Sequence, residues 1–275
     1  MGITLKQRFK IISKLLLPNI SDFKQMKKIL SYPFSVIFYL FFGLTLVKFH
    51  ILQWLAYNLF GYQAHKKSVD IFNFFLLRCL NLVGTRFKYQ NTFQFDLNKP
   101  HIIVSNHQSM FDIPPIIWYM RALHPKFISK KELSKGIPGI SYNLRHGGSV
   151  LIDRKNPDQA IGQIKKLGRY ISETNRAAVI FPEGTRSRTG VPKAFAYKGL
   201  KTLLESCPDA VVVPVCVNNS WKLQRYGMFP LGMGAFLKLE VMQPLNVKDY
   251  KTSELMELIE KTIVNKIERN SKIND

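Results

Sequence analysis

The stretch HIIVSNHQSMFD, residues 101–112, joins a short apolar run directly to a polar turn. Its first half is rich in β-branched residues, which is typical of a strand buried on both faces. Similar apolar runs recur farther along the chain and alternate with helical patterns. The runs are SVLI (149–152), AAVIF (177–181) and AVVVPVCV (210–217), and the helices predicted between them cover residues 157–174 and 191–206. This alternation predicts an α/β domain with a mixed, largely parallel sheet flanked by helices.

The composition narrows the class of protein. The chain has 275 residues, with 40 Lys or Arg against 18 Asp or Glu, so its net charge is +22. A hydrophobic content of 46% excludes a disordered basic tail, because such chains lack the apolar surface for a core. The charge favours an anionic membrane surface as partner, and no nucleic acid is expected because no nucleic-acid-binding motif is visible. The three cysteines have neither disulfide nor metal-ligand spacing, which favours a reducing compartment.

Residues 1–84 are predicted to form a basic N-terminal segment with membrane-associated helices. Residues 1–31 carry seven Lys or Arg and one acid, and residues 29–47 contain no charge. Those nineteen residues approach the roughly 20 that a membrane span needs. A shorter apolar segment, 49–62, comes after Lys48, and residues 69–84 have the pattern of an amphipathic helix lying flat.

We expect the first two apolar segments to form a hairpin that enters the membrane and returns. The positive-inside rule places the basic N-terminus in the cytosol, and a hairpin keeps the rest of the chain at the cytoplasmic face. A single span and a buried hairpin of a soluble protein are the alternatives. No cleaved signal peptide is expected, because Lys14 interrupts the apolar stretch and no small-residue cleavage site follows.

The polar turn after the first strand contains His107 and Asp112. On a regular helix this spacing separates two side chains by about 140°, so they meet only if His107 precedes the helix. A histidine whose ring is held by a carboxylate can act as a general base. Ser109 and Asp112 also fit an ordinary capping box, beside which the histidine would be incidental. The spacing alone leaves both interpretations open.

A second polar turn, FPEGTRSR at residues 181–188, also follows a predicted strand. Gly184 allows a tight turn whose backbone N–H groups can bind an anion. Arg186 and Arg188 add guanidinium groups, which bind phosphate in a bidentate manner. The alternative is a β-turn with two solvated arginines. Arg154 ends another strand, and the pair Lys130–Lys131 follows a strand predicted near residues 126–129.

Four blocks of this sequence resemble those of the glycerolipid acyltransferases, the 1-acylglycerol-3-phosphate acyltransferase group. His107–Asp112 within NHQSMFD resembles the first block, and GSVLIDR (148–154) resembles the second. FPEGTRS (181–187) resembles the third and VPV (213–215) the fourth. The order and spacing of the blocks make the resemblance specific over residues 85–245. It identifies residues 85–275 as an acyltransferase domain with a C-terminal helix, predicted at residues 253–267.

The resemblance implies transfer of an acyl group from acyl-CoA or acyl-carrier protein to the sn-2 hydroxyl of lysophosphatidic acid, which yields phosphatidic acid. It makes His107 the general base and Asp112 the group that orients it. The residues that would bind substrate are Arg154, Glu183, Gly184, Thr185, Arg186 and, as the oxyanion-stabilising lysine, Lys130. No metal and no cofactor are implied. The segment GVPKAFAYKGL (190–200) departs from the family pattern, and only Lys198-Gly199 aligns with it.

Two alternatives to this function stay open. The first is an acyltransferase for another acceptor, such as glycerol 3-phosphate, a lysophospholipid or a lyso-aminolipid. The second is a non-catalytic basic protein that binds membranes or nucleic acid.

Overall fold

The computed structural model describes residues 20–273. The helices are α1 (Ile20–Asn81), α2 (Ile113–Tyr119), α3 (Ile140–His146), α4 (Pro157–Thr174), α5 (Tyr197–Glu205) and α6 (Thr252–Ile273). The strands are β1 (Arg86–Gln90), β2 (His101–Ser105), β3 (Pro125–Lys130), β4 (Val150–Ile152), β5 (Ala177–Ile180), β6 (Val211–Asn218), β7 (Phe236–Val241) and β8 (Leu245–Asn246). Short 3-10 turns lie at Met110–Asp112, Arg121–Leu123, Lys131–Ser134, Ser220–Gln224 and Val247–Asp249.

The strands form one sheet in the order β1-β7-β6-β2-β5-β3-β4, with β8 also paired to β6. The pairs β2–β5, β2–β6, β3–β5, β3–β4 and β1–β7 are parallel, and only the pairs of β6 with β7 and β8 are antiparallel. The predicted mixed, largely parallel sheet flanked by helices is therefore confirmed. The carboxyl ends of β2, β5, β3 and β4 lie at the same edge, so the turns that follow them are neighbours.

Helices cover both faces of the sheet. This explains why the three central residues of β2 are all apolar. Ile103 belongs to a core shared with α1 and α2, whereas Ile102 and Val104 belong to a core shared with α4, α5 and α6. Successive strand residues point to opposite faces, so a strand covered on both sides needs apolar residues at every position. All three side chains are fully buried.

The N-terminal helix α1 is a hairpin that turns at Gly61. Gly61 has φ 76° and ψ −168°, a conformation that glycine adopts without steric penalty. The arms, residues 20–60 and 62–81, run antiparallel: the rings of Phe49 and Phe72 lie 5.4 Å apart. The hairpin predicted from segments 29–47 and 49–62 was therefore wrong, because both segments lie in the first arm and the helix continues through Lys48; the turn comes at Gly61 instead.

The two arms of α1 have different surroundings. The second arm packs on the sheet, where Leu80 and, shortly after the arm, Val83 are buried in the same core as Ile103, and its position flat on a membrane stays a prediction. The first arm keeps an exposed apolar surface. Helix α1 is long and apolar enough to cross a membrane. An 18-residue stretch of it has a mean hydropathy of 1.9, and 17% of that stretch is buried inside the protein. The basic residues Lys6, Arg8, Lys10 and Lys14 lie outside the described residues, and the division of the chain at residue 84 stays a prediction.

Several elements differ from the sequence prediction. Strands β1, β7 and β8 were not predicted, because charged residues such as Lys238 and Glu240 interrupt the apolar pattern of β7. Helix α5 begins at Tyr197 rather than at residue 191, so residues 191–196 form an irregular segment after the second polar turn. Helix α4 has the predicted bounds.

Candidate active site

The turn after β2 brings His107 and Asp112 into direct contact. Asp112 Oδ2 lies 2.8 Å from His107 Nδ1 and accepts backbone N–H groups from Gln108 at 2.7 Å and Ser109 at 2.9 Å. Ser109 caps the short helix Met110–Asp112, and both bonds of a capping box are present. The sequence left two interpretations of Asp112 open, and the structure contains the contacts of both. The Asp112 carboxylate completes the capping box and also holds the His107 ring.

The electrostatics of this pair favour a defined tautomer. Asp112 is fully buried, while the His107 side chain is 15% exposed. Because an ionised carboxylate only accepts hydrogen bonds, Nδ1 carries the proton and Nε2 is left with its lone pair. The His107 ring stacks on Phe181, with centroids 4.3 Å apart and an interplanar angle of 20°. These contacts fix the ring with one nitrogen available for proton transfer.

The two polar turns are joined through Glu183. Its Oε1 accepts the backbone N–H of His107 at 2.8 Å, and its Oε2 accepts that of Lys193 at 3.0 Å. In the reverse direction, Ser187 N donates to His107 O at 2.7 Å. Burial raises the pKa of Glu183, and the two backbone N–H groups act in the opposite direction. The carboxylate thus faces the protein backbone at the point where the turns meet.

Basic and polar groups gather on the outer side of the second turn. Arg186 is exposed, and its charge contributes, after burial, to lowering the pKa of Arg154, so the two guanidinium groups are neighbours. Gly184 has φ 67°, and Lys193 Nζ donates to Thr185 Oγ1 at 2.9 Å. The second turn, which carries Thr185 and Arg186, is thus bonded to the backbone of His107, and Arg154 follows β4 at the same edge of the sheet; their role in binding phosphate stays a prediction.

Lys130 lies at the carboxyl end of β3, with its side chain exposed. Its neighbour Lys131 pairs instead with Asp153. Both lysines are thus at the same edge of the sheet as His107, with β5 between β3 and β2. This placement is compatible with the predicted role of Lys130, which stays a prediction.

Sequence reasoning missed three residues that shape the site. Lys193 was missed because it lies in the segment that departs from the family pattern. The Asn106 side chain exchanges two hydrogen bonds with the backbone of Val217, at 2.8 and 2.7 Å, which ties the end of β2 to β6. Gln224 accepts a hydrogen bond from Ser109 Oγ at 2.9 Å, and nothing in its sequence surroundings indicates this contact. Among residues 20–273, no cluster of His, Cys, Asp or Glu could hold a metal.

Residues 86–218, which include both turns, match the family model described as Acyltransferase. This part of the chain, 133 of the 275 residues, is therefore similar to the acyltransferase family. The resemblance predicted from the four sequence blocks is thereby confirmed, and the blocks from the first turn to VPV lie inside the matched acyltransferase domain.

Curated relatives of the acyltransferase domain have consistent names. A 1-acyl-sn-glycerol-3-phosphate acyltransferase of Saccharomyces cerevisiae is 27% identical over 167 residues, covering 59% of this chain and 53% of that protein. One of Helicobacter pylori is 34% identical over 133 residues, covering 46% of this chain and 54% of that protein. The chain thus spans about half the length of the curated relatives it matches.

The fold also matches a solved structure. The 1-acyl-sn-glycerophosphate acyltransferase PlsC of Thermotoga maritima superposes with a TM-score of 0.70 at 21% sequence identity. The match covers 90% of this chain and 97% of that one, so it includes most of the hairpin as well as the acyltransferase domain.

Proposed function

We propose that this protein is a membrane-associated 1-acylglycerol-3-phosphate acyltransferase. It would transfer a fatty acyl group from acyl-CoA or acyl-carrier protein to the free sn-2 hydroxyl of lysophosphatidic acid, forming phosphatidic acid. The observation that carries the proposal is the 2.8 Å contact between His107 and Asp112, which Glu183 joins to a turn bearing Arg186. A base beside a phosphate-binding turn is the arrangement that acylation of a phosphorylated alcohol requires.

In the proposed reaction, Nε2 of His107 takes the proton of the acceptor hydroxyl as its oxygen attacks the thioester carbonyl. Asp112 stabilises the imidazolium that forms, and its contact with Nδ1 keeps the ring oriented. The carbon–sulfur bond then breaks, and His107 returns the proton to the leaving thiolate. Backbone N–H groups or Lys130 would stabilise the oxyanion, a contribution of about 2.7–4 kcal/mol per donor.

The acceptor phosphate would lie on the outer side of the second turn. Arg154 and Arg186 supply two positive charges, and guanidinium groups bind phosphate in a bidentate manner. The Thr185 hydroxyl and the ammonium group of Lys193, 2.9 Å from it, add donors beside them. The N–H of Gly184 already donates to Phe181 O within the turn. Glu183 would act through the backbone of His107 rather than on the phosphate, because both of its oxygens accept backbone N–H groups.

The hairpin would hold the enzyme at a membrane, where its lipid substrates are. Exposed apolar residues occur along the first arm, including Ile29 at 61%, Leu40 at 59% and Leu44 at 58% exposure. The net charge of +22 adds attraction to anionic lipid. We place the protein on the cytoplasmic face, since the positive-inside rule puts its basic N-terminal segment there.

The decisive test is an assay of the purified full chain with acyl-CoA and with acyl-carrier protein. Each donor is offered with lysophosphatidic acid, glycerol 3-phosphate, a lysophospholipid and a lyso-aminolipid, and products are read by mass spectrometry. We expect phosphatidic acid to form fastest. Faster acylation of another acceptor would reassign the substrate, and salt-dependent nucleic-acid binding without acyl transfer would reject the enzyme.

A further inference from the structure

A loop of the acyltransferase domain, residues 225–231, lies against the first arm of the hairpin. The Phe229 ring contacts Tyr32 and Tyr39, with centroids 5.5 and 6.3 Å apart, respectively. Tyr39 Oη donates to the backbone oxygen of Met228. The backbone N–H of Leu231 donates to Ser35 Oγ at 2.8 Å. The loop is therefore fixed to the first arm beside its exposed apolar residues, of which Tyr32 is 43% exposed.

The tip of this loop has the chemistry of a lipid contact. Met228 is 52% exposed and Phe229 is 48% exposed, although both adjoin a fixed backbone. Tyr226 lies beside them between two cations: Lys28 Nζ is 5.5 Å and the Arg225 guanidinium 5.8 Å from its ring centroid. Exposed apolar side chains bordered by an aromatic ring and cations are typical of contact with an anionic bilayer.

Gln224, which immediately precedes the loop, connects it to the catalytic turn. Its Oε1 accepts hydrogen bonds from Ser109 Oγ at 2.9 Å and Met110 N at 3.3 Å. Its Nε2 donates to Met228 Sδ at 2.9 Å. Ser109 in turn caps the short helix that contains Asp112. One side chain thus touches both an exposed loop residue and the residues that position the carboxylate.

We propose that residues 225–231 are a second lipid contact of this protein, besides the hairpin, and that Gln224 is a positioning residue coupling this contact to the catalytic turn. The partner is a bilayer containing anionic lipid, because the loop lies beside exposed apolar residues of the hairpin and has cations at its border. Burial of Met228 in lipid restrains the Gln224 amide and, through Ser109, the position of Asp112. The coupling rests on the proposed acyltransferase function.

The lipid contact is tested without reference to activity. The double substitution Met228→Ser and Phe229→Ser in the full chain should weaken partitioning into phosphatidylcholine–phosphatidylglycerol vesicles by about tenfold, measured by co-sedimentation. The matched control is Leu97→Ser, because Leu97 is 53% exposed and precedes β2 at the opposite edge of the sheet. Binding of the double variant equal to that of the control would overturn the lipid contact.

The coupling is tested by separating kcat from KM on vesicles that contain lysophosphatidic acid. Gln224→Leu should lower kcat about tenfold or more and leave the acceptor KM within about twofold, because Gln224 positions the catalytic turn and touches no predicted phosphate-binding residue. Gln224→Glu keeps an acceptor oxygen for Ser109 but loses the N–H group that reaches Met228, so it should recover only part of kcat, and full recovery would overturn the coupling through Met228. Thermal unfolding identifies any general loss of structure.

The outcomes distinguish this inference from the proposed function. An unchanged kcat in Gln224→Leu, or equal losses in both Gln224 variants, would overturn the coupling while leaving an active wild-type enzyme. A wild-type chain without acyl transfer would overturn the proposed function and the coupling together. The sedimentation result decides the lipid contact in either case.

Discussion

The two ends of the sheet each hold a buried or half-buried histidine, and their surroundings are opposite. At the carboxyl end, His107 contacts the carboxylate of Asp112 at 2.8 Å. At the amino end, His124 lies among cations, and its pKa is lowered to about 3 by burial and then by Lys126, Arg176 and Lys66. The Asp112 carboxylate orients the His107 ring, whereas burial among cations disfavours protonation of His124. The partner, rather than the histidine itself, decides which end can perform acid–base chemistry.

The amino end is a packing site between the hairpin and the sheet. Lys126 is 5% exposed and donates to Tyr62 Oη at 2.7 Å, and Arg176 donates to the same oxygen at 3.2 Å. Neither ring nitrogen of the buried His65 has a hydrogen-bond partner among the described residues. Burial, followed by Arg176 and Lys66, lowers the pKa of Lys126 to about 7. These groups attach the turn of the hairpin to β3.

The largest expected contrast is between the two histidines. His107→Ala should lower kcat by about 10²- to 10⁴-fold, because the general base is removed. His124→Asn at the other end should leave kcat within about twofold, and Asn tolerates the left-handed conformation that His124 adopts at φ 57°. Steady-state kinetics check both variants, with thermal melting as the control. Near-normal activity of folded His107→Ala would reject the assignment of the base.

Glu183→Gln tests the connection between the two turns at the carboxyl end, which depends on the two backbone N–H groups that the carboxylate accepts. The amide presents an NH₂ group where a carboxylate oxygen accepted a backbone N–H, so His107 or Lys193 loses its partner. We expect kcat to fall about 10²-fold from the displaced His107, and the free energy of unfolding to fall by about 1–3 kcal/mol. Kinetics and denaturant unfolding measure the two effects. A kcat equal to wild type would show that Glu183 does not position the base.

Arg186→Ala tests the phosphate-binding side of the carboxyl end. Loss of one charged hydrogen-bonding group should raise the KM for lysophosphatidic acid about tenfold, with a smaller effect on kcat. Arg188→Ala is the matched control, because Arg188 is exposed on the same turn but is not among the substrate-binding residues that the family resemblance implies. Equal KM values for the two variants would contradict the assignment of Arg186.

The last prediction concerns stability, rather than activity, at the amino end. Between about pH 7 and 10.5, Lys126 is neutral in the folded protein but protonated when unfolded, so the unfolded state binds more protons. Raising the pH through this window should therefore stabilise wild type relative to Lys126→Met, by about 1.4 kcal/mol per pH unit. Denaturant unfolding of both proteins across the window measures the difference. A pH-independent difference would show that Lys126 has an ordinary pKa.

Much of the carboxyl end was predictable, because local rules govern it. β-branched runs such as HIIVS form strands wherever both faces are covered, and polar residues directly after them must lie at the sheet edge. Ser109 and Asp112 form a capping box because their spacing matches the first turn of a helix. The pairing of His107 with Asp112 follows from the same local geometry, so the sequence already contained it as one of two alternatives.

Other features depended on contacts between distant residues. Gly61 is one of 16 glycines, and only packing of the two arms against each other and the sheet selects it as the turn of the hairpin. The charged strand β7 is recruited by the free edge of β6, which periodicity within β7 does not indicate. The orientation of Glu183 and the bridge made by Gln224 likewise depend on residues 76 and 115 positions away.

The sequence by itself determined the strands of the parallel core, the two polar turns and their resemblance to the acyltransferases, because hydrophobic periodicity and capping act over a few residues. Only the tertiary structure decided which groups face each other across those turns and which arm of the hairpin stays exposed. Side-chain direction and burial depend on the register between elements, and that register is set by packing over the whole molecule.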